Sequence, residues 1–184
     1  MKILFSLSML ISSCVFAQEV KDFSLVNTKD GKTISLSSYK SAPAVVVIFT
    51  SHECPFDNYY KERIKSLVTN YPTIPFLFIN SNPEPQESTD QMAIHYKDVN
   101  APYLADKDQI AMEIFGARKS PEVFLLATLG GKFMVVYSGA IDDNPQVATD
   151  VKQAYLKDAL DKVLAGQKIE PATQRATGCT IRRE

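Results

Sequence analysis

Residues 44–49 read AVVVIF, and a four-residue loop then leads to Cys54-Pro55. An unbroken β-branched run of this length predicts a strand buried on both faces, as in the middle of a parallel sheet. Proline suits the first position of a helix, where its missing N–H costs nothing. Ile64, Leu67, Val68 and Tyr71 follow at helical spacing and stop before Pro72. A strand that feeds a helix through a cysteine is the feature around which the rest of the chain must fold.

The remaining segments extend that pattern. Asp22-Phe23-Ser24-Leu25 and Thr33-Ile34-Ser35-Leu36 flank Asp30-Gly31 and predict an N-terminal β-hairpin. Residues 76–80 predict the next buried strand, and Ser88 with Gln91 predicts a capping box opening a second helix. A short helix is expected over 108–115. Residues 122–126 and 132–138, on either side of Gly130-Gly131, predict a second hairpin. Val151, Tyr155, Leu156, Leu160, Val163 and Leu164 form the stripe of a last helix that Gly166 can close. The order predicts an α/β domain with a central mixed sheet flanked by helices.

The boundaries follow: a leader over 1–17, a domain over 18–166 and a polar tail over 167–184 that carries Cys179. Met1-Lys2 begins a short apolar stretch, and Val15-Phe16-Ala17 ends it with the small-residue pattern of an export signal. Ile11-Ser12-Ser13-Cys14 also resembles a lipobox, so lipidation at Cys14 is the alternative and the one route to a membrane. The setting expected is the periplasm or cell envelope of a bacterium. With 20 basic against 21 acidic residues and a net charge of −1, nothing suggests a nucleic-acid footprint.

Strand-loop-Cys54-Pro55-helix, with Tyr60 and Arg63 spaced behind it, resembles the thioredoxin superfamily. More narrowly it resembles the redoxin group that includes alkyl hydroperoxide reductase-type and thiol-specific antioxidant-like exported proteins. Lys119-Ser120-Pro121-Glu122 before a strand, and the ending Gly178-Cys179-Thr180-Ile181-Arg182, carry the same likeness. The resemblance implies a thioredoxin-like fold, a cis bond at Pro121 and a substrate groove shaped by that proline. It implies thiol-dependent oxidoreductase activity, as disulfide exchange or as a peroxidase, on protein thiols and disulfides or small peroxides. No cofactor and no metal are called for.

Cys54, Cys179 and Pro121 are therefore the candidate catalytic residues. A thiolate is the nucleophile, and a helix N-terminus favours it. The second cysteine of a Cys-x-x-Cys site is replaced by Asp57, so a second thiol must come from elsewhere. Cys179 is the internal candidate, with a partner molecule or dimer pairing as the alternatives. For a peroxidase, Ser51 stands at the hydroxyl position three before Cys54, whereas Val47 occupies the position where peroxiredoxins have proline. His52 offers a positive charge near the thiol, which Glu53 opposes. Arg118 is a candidate guanidinium beside Pro121. Arg63, nine residues on at about 100° each, points to the opposite helix face and reads as a packing or salt-bridge residue. A non-catalytic binding module, and a copper site from His52, Cys54 and His95, are the competing readings.

Overall fold

The computed structural model describes residues 18–183. The leader over 1–17 and the alternative lipidation at Cys14 lie outside them. Two antiparallel strands, β1 (Ser24–Asn27) and β2 (Thr33–Ser35), form the expected N-terminal hairpin. A single 3₁₀ turn leads to β3 (Ala44–Phe49), whose six residues are all buried. After the loop come α1 (Pro55–Asn70), β4 (Phe76–Asn80) and α2 (Thr89–His95). Then follow β5 (Tyr103–Ala105), α3 (Ile110–Phe115), β6 (Lys119–Ser120), β7 (Glu122–Leu129) and β8 (Lys132–Gly139). The chain continues with α4 (Tyr155–Leu164), β9 (Thr173–Gln174) and β10 (Cys179–Thr180).

Eight of these strands make one sheet in the order β2-β1-β5-β4-β3-β7-β8-β9. β3, β4 and β5 run parallel, while β7 is antiparallel to both β3 and β8. β3 is central and its side chains alternate between two cores, which explains its unbroken apolar run. Val46 and Ile48 face Tyr60 and Ile64 of α1 and Leu156 and Leu160 of α4. Val45, Val47 and Phe49 face Ala111, Met112 and Phe115 of α3. This is the mixed, helix-flanked sheet that the element order predicts, with the thioredoxin-like fold that the resemblance implies.

Three local expectations change. Ser88 precedes α2 as its N-cap, but its side chain makes no capping bond, so the capping box is not formed. α3 starts at Ile110, because Gln109 has φ of 55° and interrupts the helical backbone before it. Val151 lies outside α4, next to a separate 3₁₀ turn over Ala148–Asp150, and Leu164 at the far end of the stripe is exposed.

Residues 167–184, read from the sequence as a polar tail, contribute two strands among those described. β9 runs parallel to β8, and β10 runs antiparallel to β6, with Cys179 opposite Ser120. Ile181 then enters the second core at 4 % exposure. The end of the chain is anchored beside the start of α1.

Candidate functional site

Cys54 is the N-cap of α1, in an extended conformation, with Pro55 at the first helical position. Its carbonyl accepts from the Asp57 and Asn58 amides at 3.1 and 3.4 Å, which starts the helix. The cysteine is thereby held where the dipole and unpaired N–H groups of a 16-residue helix favour negative charge on sulfur.

Cys54 and Cys179, 125 positions apart, form a disulfide with Cα atoms 6.0 Å apart. Of the alternatives open for Cys179, the structure thus has the intramolecular one. The two sulfurs differ in access. Cys54 is 2 % exposed, whereas Cys179 is partly exposed. Both cysteines line a cleft of about 290 Å³ with Ser51, Glu53, Asn82 and Arg182.

The loop from β6 to β7 supplies the third side of the site. The Ser120-Pro121 bond is cis, as the resemblance implies. The Ser120 carbonyl lies 3.1 Å from Cys54 Sγ, its backbone pairs with Cys179, and its hydroxyl donates to Asp57 Oδ2 at 2.6 Å. Asp57, which stands where a local second cysteine would be, is fully buried. Burial pushes its carboxyl well above the usual carboxylate range; the Ser120 hydroxyl partly offsets this, and Glu87 adds to the rise.

Glu87 is a residue that sequence reasoning missed. Buried at 3 % exposure in the turn before α2, it organises the loop that leads to Cys54. Its carboxylate accepts from the Ser51 hydroxyl, from the His52 and Glu53 amides and, at 2.7 Å, from Asn80 Nδ2. Ser51 Oγ in turn accepts the Cys54 amide at 3.1 Å. A lone glutamate on a short polar turn carries no periodicity or motif, so no sequence signal marks it.

The other candidates are placed as follows. His52 lies against Glu87, with Nδ1 2.7 Å from Oε2. His95 packs against Tyr96, and burial lowers its pKa from 6.5 to about 4, which keeps the ring neutral at pH 7. Among the described residues no group of three His, Cys, Asp or Glu side chains is arranged to hold a metal ion. With Cys54 in the disulfide, the copper reading has no ligand set. Arg63 faces away from Cys54, as expected: it pairs with Asp142 at 2.5 Å and donates to the carbonyls of Asn144 and Pro145. Its guanidinium carbon lies 4.0 Å from the centre of the Tyr60 ring. Arg118 is exposed, and its carbonyl accepts from the Ile181 amide, which ties down the end of β10.

Comparison with known proteins bears on this arrangement. A model described as the AhpC/TSA family matches residues 16–144. No curated protein matches the chain. Among solved structures, an uncharacterised conserved protein of Geobacillus kaustophilus is 26 % identical, with a TM-score of 0.83, over 92 % of each chain. A hypothetical protein of Sinorhizobium meliloti is 29 % identical, with a TM-score of 0.82, over 94 % of this chain and 97 % of that one. The pneumococcal exposed lipoprotein thioredoxin of Streptococcus pneumoniae is 23 % identical, with a TM-score of 0.59, over 77 % and 98 %. That last likeness is one of fold.

Proposed function

The chain belongs to the AhpC/TSA family, and from that membership we propose a thiol–disulfide oxidoreductase in which Cys54 attacks and Cys179 resolves. The observation that carries the reading is the Cys54–Cys179 bridge, set between a helix N-terminus and the cis-Pro121 loop. In the forward step the Cys54 thiolate attacks one sulfur of a substrate disulfide. A Cys54–substrate bond forms, the substrate bond breaks, and the electron pair leaves on the departing thiolate. The Cys179 thiolate then attacks Cys54 Sγ and releases the second substrate thiol. The protein keeps the bridge, having passed two electrons to the substrate. An external thiol restores the dithiol by attacking Cys179, the more exposed of the two sulfurs.

Disulfide exchange is favoured over peroxide reduction by one side chain: the Ser51 hydroxyl, which would orient a peroxide, donates to Glu87. Exported function is part of the same proposal. It is supported by the pattern of residues 1–17 and by a disulfide suited to an oxidising compartment. The domain over 18–166 would carry the chemistry of Cys54 and the segment over 167–184 the resolving thiol.

Parallel assays of disulfide reduction and peroxide consumption test the proposal. Disulfide reduction that needs both Cys54 and Cys179 is expected. Turnover that survives in Cys54→Ser, or peroxide consumption far exceeding disulfide reduction, contradicts it.

A further inference from the structure

Asp57 is a buried acid for which the exchange steps above give no task. It is the third residue of α1, three positions after the N-cap Cys54, and both residues meet Ser120. Ser120 links them from the opposite side. Its carbonyl is 3.1 Å from Cys54 Sγ and its hydroxyl 2.6 Å from Asp57 Oδ2, so one residue spans both groups. Asp57 Oδ1 is also buried and has no partner at full hydrogen-bond geometry, the Ser51 amide lying near enough only to favour the charged carboxylate. A polar oxygen left unpaired in a dry site is costly unless its proton is in use.

The surroundings make ionisation of both groups at once unfavourable. The titratable groups that bear on Asp57 are Glu87 from the turn before α2, Tyr96 just beyond α2 and Tyr103 on β5, with the Cys54 sulfur linked to it through Ser120. All are acids, and none offers a compensating positive charge. A thiolate and a carboxylate spanned by one residue in such a site share a proton, as coupled acids do.

We propose that Asp57 is the proton partner of Cys54, handing a proton to its sulfur when the bridge opens and taking it back when Cys54 attacks. This rests on the thiol-exchange reading of Cys54. On opening, an external thiolate attacks Cys179 Sγ, and a new bond forms there. The Cys54–Cys179 bond breaks with its electron pair on Cys54 Sγ. The Asp57 proton moves to that sulfur, and the resulting carboxylate accepts from the Ser120 hydroxyl. On attack, the same proton returns to Asp57 as Cys54 Sγ bonds to the substrate sulfur. The buried Cys54 therefore needs no solvent proton in either direction.

The test compares the full chain with Asp57→Asn, which keeps an acceptor for Ser120 but has no acidic proton. The measured quantity is the rate at which dithiothreitol opens the bridge, per unit of its thiolate, as a function of pH. The wild-type rate should be highest at acid pH and fall as Asp57 loses its proton. Asp57→Asn should be flat and about 10²-fold slower at the acid end, the low end of a general acid's contribution. If both proteins open with the same pH profile, the proton proposal falls alone. If dithiothreitol leaves the wild-type bridge intact, the exchange reading falls and takes this one with it. An oxidised-minus-reduced infrared spectrum reads the wild type directly. It should show a protonated carboxyl band lost on reduction, and no carboxyl change would overturn the proposal even if the variant failed to fold.

Discussion

Gly178 lies so close to Ser120 that a β-carbon added to it would sit 2.2 Å from the Ser120 carbonyl oxygen and 2.6 Å from the carbonyl carbon. The obstacle is backbone, so no rotamer change relieves it. This approach lets β10 lie against β6 and brings Cys179 to Cys54. Gly178→Ala should therefore lift β10 away and weaken the bridge. Overpacking of this kind costs about 1–3 kcal/mol, or roughly a tenfold change in an equilibrium at 1.4 kcal/mol. Titration with dithiothreitol should open the variant's bridge at about tenfold lower reductant-to-oxidant ratio. An unchanged midpoint would mean that the β6–β10 contact does not hold the bridge.

Arg63 and Asp142 form a pair on the side of α1 away from the cysteine, at 17 % and 5 % side-chain exposure. Tyr60 donates to the same carboxylate at 2.9 Å. Removing the arginine leaves Asp142 buried without its counter-charge, which typically costs about 3–5 kcal/mol. Arg63→Met should lower the denaturant midpoint by a corresponding amount while the folded fraction keeps its exchange rate. A loss of rate without loss of stability would place Arg63 in the chemistry after all.

Glu87 ties the Ser51, His52 and Glu53 segment to Asn80 of β4. Glu87→Ala removes every one of these acceptors and leaves several donors unpaired in a buried site, at about 1–3 kcal/mol each where they find no water. Amide hydrogen exchange should rise at residues 51–54 before it rises in β3 or β4. Uniform protection would show that the loop is held by something else.

His95 gives a pH dependence with a definite sign. Its pKa falls from 6.5 when unfolded to about 4 when folded, chiefly through burial. Between those values the unfolded chain binds more protons, so stability contributed by the neutral ring is lost as pH falls through that window. The melting temperature of the wild type should drop more between pH 6.5 and pH 4 than that of His95→Phe, which keeps the aromatic packing on Tyr96. Parallel curves would contradict the assignment.

Much of this architecture was legible in the sequence because its signals are local. The AVVVIF run, the Cys54-Pro55 helix start and the Gly130-Gly131 hairpin each declare themselves within a few residues. The cis bond at Pro121 was legible only through resemblance, since its own sequence gives no reason to depart from trans. The end of the chain was not legible as structure. β9 and β10 are two residues long, too short for any period to show, and their strand character comes from partners on β8 and β6. Cys179 was visible as a candidate, but its pairing depends on the clearance at Gly178. Glu87 and the buried Asp57–Ser120 contact arise from tertiary packing, and no spacing in the sequence encodes them.

The central claim is that Cys54 attacks and Cys179 resolves, and peptide mapping by mass spectrometry after reaction with a disulfide substrate tests it most directly. Reduced wild type should end with the Cys54–Cys179 bridge and free substrate thiols, while Cys179→Ser should accumulate substrate covalently bound at Cys54. Substrate bound at Cys179 in the wild type, with Cys54 untouched and no bridge formed, would contradict the account.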